Sequence, residues 1–310
     1  MAFFVIQKGG LGLVKRLTAL ALVLVCLTPC AGLARETVEA DFEGGRWLYE
    51  DTERGVCIEI VRREDEENRV LWYEADLRFG EASPLRFLTA NEESPGKGFW
   101  YPERLAREKR AVFAINDDQF GHRVYNHDTV GVIVRGGEVL SERTRKSGSK
   151  GWPPLDTAAF FPDGSMRVFE SAEHTGEEYL AMGAENVLAF GPWLVRGGEI
   201  NPALETSYRT REPRTAIGMI EPYHYVALFV EGRVERSGGV ACEWLAQRMA
   251  ELGAAEAINL DGGKTSCLVF MGVKLSISNP DGRVRDGRSV SGMIGLGESD
   301  LAPAWEGLDK

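Results

Sequence analysis

The segment 259–266 reads NLDGGKTS and brings together an amide, a carboxylate, two glycines, a cation and two hydroxyls. Asp261 ends a short apolar run, which predicts a strand that delivers the carboxylate to a glycine-rich turn. Gly262 and Gly263 allow the backbone to approach a ligand closely. Asp-Gly-Gly is also typical of an ordinary tight turn, so this pattern by itself leaves a ligand site and a structural turn open.

The N-terminus has the order of a secretory signal peptide: cations, then an uncharged apolar run at 17–27, then small residues up to Ala34. This run is shorter than the about 20 residues that span a bilayer, so we expect no stable membrane span in the mature chain. We predict a signal peptide over 1–34, a single domain over 35–310, and a secreted or periplasmic protein. Lipid attachment at Cys30 is less favoured, because a proline directly precedes this cysteine.

The chain is acidic, with a formal charge of −11 that becomes −14 when residues 1–34, which hold three cations and no anions, are removed. Because the summed field repels polyanions, we expect no nucleic-acid partner, and an anionic substrate needs a local cluster of cations. The mature chain keeps Cys57, Cys242 and Cys267, which are too few for a disulfide scaffold. A single bridge among them stays open.

The elements that must position these residues are mostly short strands. Alternating polar and apolar residues from 46 to 79, with a charged turn at 62–69, predict a β-hairpin, and a short helix is predicted at 101–110. Turn sequences at 135–138, 162–165 and 196–199 separate apolar runs. The further predicted strands cover 111–115, 129–134, 158–161, 165–169, 187–194, 215–220, 223–230, 257–260 and 267–271.

The clearest helix covers 240–252, where Ala241, Leu245 and Leu252 recur at helical spacing and Gly253 follows as a C-cap. Its apolar stripe is expected to pack on a sheet. The sequence therefore predicts an α/β fold of the α+β type, with a mixed, largely antiparallel sheet and flanking helices.

Several stretches occur in the order found in a known family. They are PRTAIG at 213–218, VEGR at 230–233 followed by SGG at 237–239, LGA at 252–254, and AINLDGG at 257–263. Together they resemble the phosphodiester glycosidase family, and a weaker likeness extends over about residues 56–297. The resemblance implies a hydrolase that cleaves the glycosidic bond of a small-molecule or polymeric sugar phosphodiester.

Three positions depart from the family pattern. The segment 116–118 reads NDD and places two carboxylates where small residues are expected, and KT at 264–265 replaces a glycine and a serine. The family's helix glutamate falls on Trp244. The neighbouring Glu243 is predicted to be solvated, because helical spacing puts it opposite the apolar face.

Hydrolysis at an anomeric carbon commonly uses two carboxylates. With the family in view, Asp261 is the first catalytic candidate. Asp118 is the second, with Asp117 as an alternative, and Asn116 and Asp117 are assigned to substrate binding. This chemistry implies no certain cofactor. The same carboxylates are also oxygen ligands suited to a divalent cation such as calcium, magnesium or manganese, whereas the histidines lack zinc spacing.

Arg214 follows a proline, and its planar fork is suited to two phosphodiester oxygens, with a surface ion pair as the alternative. The resemblance favours the substrate role, and Lys264 and Arg288 would add local positive charge. The remaining predicted substrate contacts come from the loop itself: Asn259, Gly262, Gly263, Thr265 and Ser266.

Two functions of other classes stay open. A non-catalytic binder of envelope polysaccharide or sugar phosphate is the first, in which the NDD departure at 116–118 marks lost activity. A metal-dependent phosphodiesterase that acts on the phosphorus side is the second, in which the carboxylates hold the cation.

Overall fold

A computed structural model describes residues 36–143, 155–205, 208–275 and 287–302. The signal peptide predicted over residues 1–34 lies outside the described residues, as does Cys30. Within the described ranges, no helix has both the length and the apolar character that crossing a bilayer requires.

Three sheets, antiparallel throughout their described pairings, join strands from distant parts of the described chain. The nine-stranded sheet has the order β1 (Glu36–Asp41), β2 (Arg46–Asp51), β3 (Val56–Asp65), β4 (Val70–Arg78), β15 (His224–Val230), β14 (Arg214–Glu221), β16 (Glu256–Asn259), β12 (Trp193–Arg196) and β13 (Glu199–Ile200). A five-stranded sheet has the order β10 (Met166–Phe169), β9 (Asp156–Phe160), β11 (Asn186–Phe190), β7 (Gly131–Arg135) and β8 (Glu138–Arg143). Another five-stranded sheet has the order β18 (Val273–Lys274), β17 (Leu268–Phe270), β6 (Ala111–Asn116), β19 (Gly292–Glu298) and β5 (Arg86–Thr89).

The helices of the described residues are short and lie beside these sheets. They are α1 (Pro102–Glu108), α2 (Phe120–Tyr125), α3 (Gly176–Ala181) and α4 (Cys242–Glu251). The predicted α+β class with largely antiparallel pairing is confirmed in outline. Strands hold more of the described residues than helices do, so the fold is dominated by strands. The turns predicted at 135–138, 162–165 and 196–199 are confirmed, since each joins two adjacent antiparallel strands.

The single strand predicted at 187–194 is wrong, because two strands of different sheets occupy this stretch. β11 ends at Phe190, and β12 begins at Trp193. Gly191 between them has a φ of +87°, and Pro192 has no N–H to donate to a sheet. The apolar run therefore crosses from the second sheet into the nine-stranded one, and its turn becomes part of the candidate site.

The central strands of the nine-stranded sheet are buried on both faces. On β14, Ala216 faces a cluster that includes Leu245 of α4, whereas Ile217 faces the main core shared with the other sheets. Full burial of one such leucine contributes about 1.5–3 kcal/mol to folding. α4 begins two residues later than predicted and ends one residue earlier, and Gly253 follows it with a φ of +88°. This packing fixes β14 and β16, whose ends carry the candidate site.

Candidate active site

The Asp261 turn begins where β16 ends. The Leu260 amide donates to the Thr215 carbonyl at 2.8 Å, and the Asp261 amide donates to the Asp117 carbonyl at 3.4 Å. The Asp261 carboxylate accepts a hydrogen bond from the Gly262 amide at 3.0 Å, and the residue is 9% exposed. The carboxylate is therefore held by backbone contacts at the edge of the protein interior.

Both glycines after Asp261 are required by the geometry. A Cβ atom on Gly262 would lie 2.9 Å from the Pro213 carbonyl oxygen, which is too close for any larger residue without movement. Gly263 has a φ of +64°, and its amide donates to the same carbonyl at 2.9 Å. The Asp-Gly-Gly sequence thus packs directly against the Pro213 turn that precedes β14.

A cleft of about 330 Å³ opens beside this turn. It contains one catalytic candidate, Asp261, and two guanidinium groups, those of Arg214 and Arg233. The full lining is Phe190, Gly191, Pro192, Tyr208, Thr210, Glu212, Arg214, Arg233, Asn259, Asp261, Gly262 and Gly263.

Arg214 is the first residue of β14, and backbone carbonyls orient it. Its Nε donates to Val240 at 3.3 Å, and its Nη2 donates to Thr210 at 3.0 Å. Its Nη1 lies 3.9 Å from the position that a Cβ atom would occupy on Gly262. The guanidinium is thus anchored on one side and lies beside the turn that carries Asp261. Within the described part of the chain, Arg214 pairs with no carboxylate, so the alternative of a surface ion pair is not supported there.

Asn116 ends β6 and connects four parts of the site. Its Nδ2 donates to the carbonyls of Asp261 at 2.8 Å and Asp117 at 3.1 Å. Its Oδ1 accepts from the Thr215 hydroxyl at 2.8 Å and the Cys267 amide at 3.0 Å. The side chain of this predicted substrate-binding residue is fully buried and does not line the cleft.

Asp118 is a second predicted residue whose surroundings are those of a structural group. One oxygen accepts from the Phe120 amide at 3.3 Å and from Arg135 Nη2 at 3.1 Å, and the other accepts from the Ala189 amide at 2.8 Å. The guanidinium of the fully buried Arg123 lies 3.8 Å from it and donates to the Asp118 carbonyl at 2.6 Å. Both oxygens of this predicted catalytic residue are occupied, and the residue does not line the cleft.

Asp117 is buried, and its carboxylate lies close to Gly292. Its Oδ1 accepts from the Gln119 amide at 2.8 Å, and its Oδ2 lies 3.8 Å from Arg135 Nη2. A Cβ atom on Gly292 would lie 2.4 Å from Oδ2, so a side chain at that position would displace the carboxyl group. Burial, together with the adjacent Asp118 carboxylate, raises the pKa of Asp117 to about 7, although Arg135 opposes the shift.

Burial also raises the pKa of Asp261 above its usual range. The Thr265 hydroxyl beside it and the guanidinium groups of Arg123 and Arg288 act in the opposite direction, since each stabilises the charged carboxylate. A carboxylate whose pKa is raised in this way is a stronger base than a solvated aspartate.

The comparison with known families decides the identity that this geometry leaves open. A family model for phosphodiester glycosidases matches residues 109–296, which is more than half of the chain. The chain belongs to the phosphodiester glycosidase family. The predicted resemblance is therefore confirmed, and the matched range includes Asn116, Arg214 and Asp261.

Individual proteins show how far this phosphodiester glycosidase resembles others. The SPbeta prophage-derived uncharacterized protein YomE of Bacillus subtilis is 30% identical over 165 residues, which are 52% of this chain and only 24% of that protein. The catalytic domain of zebrafish N-acetylglucosamine-1-phosphodiester alpha-N-acetylglucosaminidase, auto-inhibited by its pro-peptide, gives a TM-score of 0.62 at 17% identity. That match covers 86% of this chain and 90% of the zebrafish chain.

A hypothetical protein from Synechocystis gives a TM-score of 0.52 at 15% identity, over 78% of this chain and 62% of the other. At such identities, the two solved structures show that the fold is shared.

The remaining predicted residues of this phosphodiester glycosidase are distributed around the turn. Asn259 lines the cleft and donates to the Gly191 carbonyl at 2.8 Å, whereas Thr265 and Ser266 are buried behind it. Lys264 and Arg288 are exposed and connected by a backbone hydrogen bond of 3.1 Å. Neither of these two cations lines the cleft that contains Arg214.

Sequence reasoning missed several charged residues of the site. Arg233, at the end of the VEGR segment, lines the cleft and pairs with Glu212. Arg123 and Arg135 surround Asp118. Arg233 lay within a family-like motif and was findable there, but the others follow only from the contacts between sheets.

The cysteines and the metal ligands were also left open by the sequence. Cys57, Cys242 and Cys267 are all free thiols. Within the described ranges, no three or more His, Cys, Asp or Glu side chains are grouped to hold a metal ion. The Glu243 side chain is half-buried, whereas a solvated position was predicted.

Proposed function

We propose that this phosphodiester glycosidase is an exported hydrolase that splits the bond between the anomeric carbon of a sugar and a phosphodiester oxygen. The observation that supports the proposal is that Asp261, Arg214 and Arg233 line the same cleft. Its volume of about 330 Å³ lies at the lower end of the range of small-molecule sites, which suits one sugar and its phosphate.

Asp261 acts as the general base in this proposal. It removes a proton from a water molecule whose oxygen forms a bond to the anomeric carbon, and the bond from that carbon to the phosphate oxygen breaks. The bonding electron pair leaves with the phosphate. Because burial raises the pKa of Asp261, its carboxylate accepts the proton more readily than a solvated aspartate would.

Arg214 and Arg233 bind the phosphate that leaves. A phosphate group departs as a stable anion, so guanidinium contacts take the place of the proton donor that an ordinary glycosidase needs. Charge-assisted hydrogen bonds from a planar fork are suited to two oxygens of one phosphate. This arrangement requires one carboxylate at the reacting centre and leaves Asn116, Asp117 and Asp118 to position it.

The proposal is tested by the release of sugar from aryl phosphodiesters of sugar 1-phosphates. We expect Asp261→Asn to lower kcat by about 10²- to 10⁴-fold. Arg214→Ala is expected to lower kcat/KM by about 10²- to 10³-fold. Arg62→Ala is the matched control, because Arg62 likewise donates to two backbone carbonyls and does not line the cleft. Full turnover by Asp261→Asn would contradict the assignment.

The base role also fixes the sign of the pH dependence. Since only the ionised carboxylate accepts a proton, kcat/KM should rise with pH through an apparent pKa above that of a solvated aspartate. A profile that falls with pH over this range would instead mean that Asp261 works as an acid.

Export is proposed from the order of cations, apolar run and small residues at the N-terminus. When the full chain is produced in a bacterium, the mature protein should be found outside the cytoplasm and begin near Arg35. Retention in the cytoplasm with an intact N-terminus would refute this part of the proposal.

A further inference from the structure

Glu212 and Arg233 form an ion pair at the edge of the cleft. Arg233 Nη2 lies 2.6 Å from Glu212 Oε2, and Nε donates to the same oxygen at 2.7 Å. The Arg233 side chain is 44% exposed, and the Glu212 side chain is 29% exposed. The pair is thus partly shielded from water and from salt, so its charges influence a bound ligand.

Tight backbone packing holds this pair in place. A Cβ atom on Gly239 would lie 2.4 Å from the backbone of Glu212, and one on Gly232 would lie 2.7 Å from Pro213. Arg233 itself has a φ of +61°. The loop that carries Arg233 is therefore pressed against the segment that carries Glu212, so the two side chains start from adjacent stretches of backbone.

Both guanidinium groups of the cleft lie close to the same turn. Arg233 Nη2 is 3.3 Å from the Cβ position of Gly263, and Arg214 Nη1 is 3.9 Å from that of Gly262. Both groups therefore line the cleft beside the turn that carries Asp261. Of these two arginines, only Arg233 forms an ion pair in the described part of the chain, and its partner is Glu212.

The charges that line the cleft cancel when Asp261 is ionised. Arg214 and Arg233 contribute two positive charges, and Glu212 and Asp261 contribute two negative charges. A ligand with one negative charge is held by the guanidinium forks at close range. A second negative charge on the ligand gains no further cation from the lining and is repelled by Glu212.

We propose that Glu212 sets the charge specificity of the cleft, so that a phosphodiester with one negative charge binds in preference to a phosphomonoester with two. The identity of the substrate rests on the proposed function. In that reaction the diester and water yield the free sugar and a monoester, whose second proton dissociates with a pKa of about 6. Above that pH, Glu212 weakens the binding of the product more than that of the substrate and so speeds product release.

The test is titration calorimetry with phenyl phosphate as the monoester and methyl phenyl phosphate as the diester. At about pH 7.5, where the monoester carries two charges, Glu212→Gln should strengthen the binding of phenyl phosphate by about tenfold and that of the diester by less. Gln retains an acceptor for Arg233. Glu59→Gln is the matched control, since Glu59 pairs with Arg46 at 2.8 Å on β3, away from the cleft strands.

The wild-type protein provides a second measurement that needs no variant. Its preference for the diester should be larger at about pH 7.5 than at about pH 5, where the monoester carries a single charge. An unchanged ratio of the two dissociation constants in Glu212→Gln, or an equal change in Glu59→Gln, would overturn the inference, as would no measurable binding of either probe.

Binding and turnover separate this inference from the proposed function. A protein that shows the Glu212-dependent ratio but releases no sugar from diesters would retain the inference and contradict the proposed hydrolysis. A protein that hydrolyses diesters while Glu212→Gln leaves the ratio unchanged would retain the proposed hydrolysis and contradict the inference about Glu212.

Discussion

Replacing Asn116 by alanine tests whether the site depends on its central amide. The side chain is fully buried and makes four hydrogen bonds, two as a donor and two as an acceptor. It joins the end of β6 to β14, to the Asp261 turn and to the segment before β17. No other described contact ties these four parts together through one side chain.

The expected loss of stability follows from the groups that the change leaves buried. The Asp261 carbonyl and the Cys267 amide lose the hydrogen bonds that Asn116 provides. An unsatisfied buried polar group costs about 1–3 kcal/mol, so the loss of these two partners in Asn116→Ala should lower the free energy of unfolding by about 2–6 kcal/mol. The Thr215 hydroxyl also loses its acceptor. Thr215→Val removes this hydroxyl and one hydrogen bond, so it should lower the free energy of unfolding by less, about 1 kcal/mol.

Activity should fall as well, because the Asn116 amide holds the backbone of Asp261. A misplacement of about 1 Å at a reacting group lowers the rate by about 10²-fold. Urea denaturation gives the stability, and sugar release below the unfolding midpoint gives the activity.

Asn201→Ala is the matched control, since Asn201 is also buried and hydrogen-bonded to two backbone groups but does not contact the Asp261 turn. We expect it to lose stability and keep its activity. A loss below about 1 kcal/mol in Asn116→Ala, or equal loss of activity in both variants, would refute the reasoning.

Two further predictions concern titration and thiol reactivity. The folded protein keeps a proton on Asp117 up to about pH 7, whereas the unfolded chain loses it near the ordinary value, so stability due to this group falls as pH rises through that window. Asp117→Asn should remove this slope in denaturation measured against pH, and an unchanged slope would contradict it. Of the three cysteines in the described part of the chain, half-buried Cys57 should react with iodoacetamide in the folded protein, whereas Cys242 and Cys267 should react only after unfolding. Burial raises the pKa of Cys267 to about 12. Mass spectrometry of the labelled protein shows which thiols have reacted, and rapid labelling of Cys267 would argue against its burial.

Local patterns were sufficient for much of the fold. Alternation predicted the hairpin of β3 and β4, glycine-containing turns separated the strands correctly, and helical spacing found α4. The run at 187–194 shows the limit of such patterns, because an apolar stretch does not reveal that it changes sheets at Gly191 and Pro192.

The site was predictable where its chemistry lies in one segment. The Asp261 turn and Arg214 do lie together at the cleft, as their neighbouring strands require. Asn116 could not be interpreted in this way, because its partners Thr215 and Cys267 lie 99 and 151 residues away. The same holds for Asp118, whose carboxylate resembles a catalytic group in sequence but is enclosed by Arg123 and Arg135 in space.

In the proposed reaction, water attacks the anomeric carbon and Asp261 directs this attack. Hydrolysis of a sugar phosphodiester in water enriched in heavy oxygen, followed by mass spectrometry of both products, tests it most directly. We expect the heavy oxygen to enter the sugar, the phosphomonoester to stay unlabelled, and Asp261→Asn to form both products about 10²- to 10⁴-fold more slowly. Heavy oxygen in the phosphomonoester would show attack at phosphorus and contradict attack at the anomeric carbon.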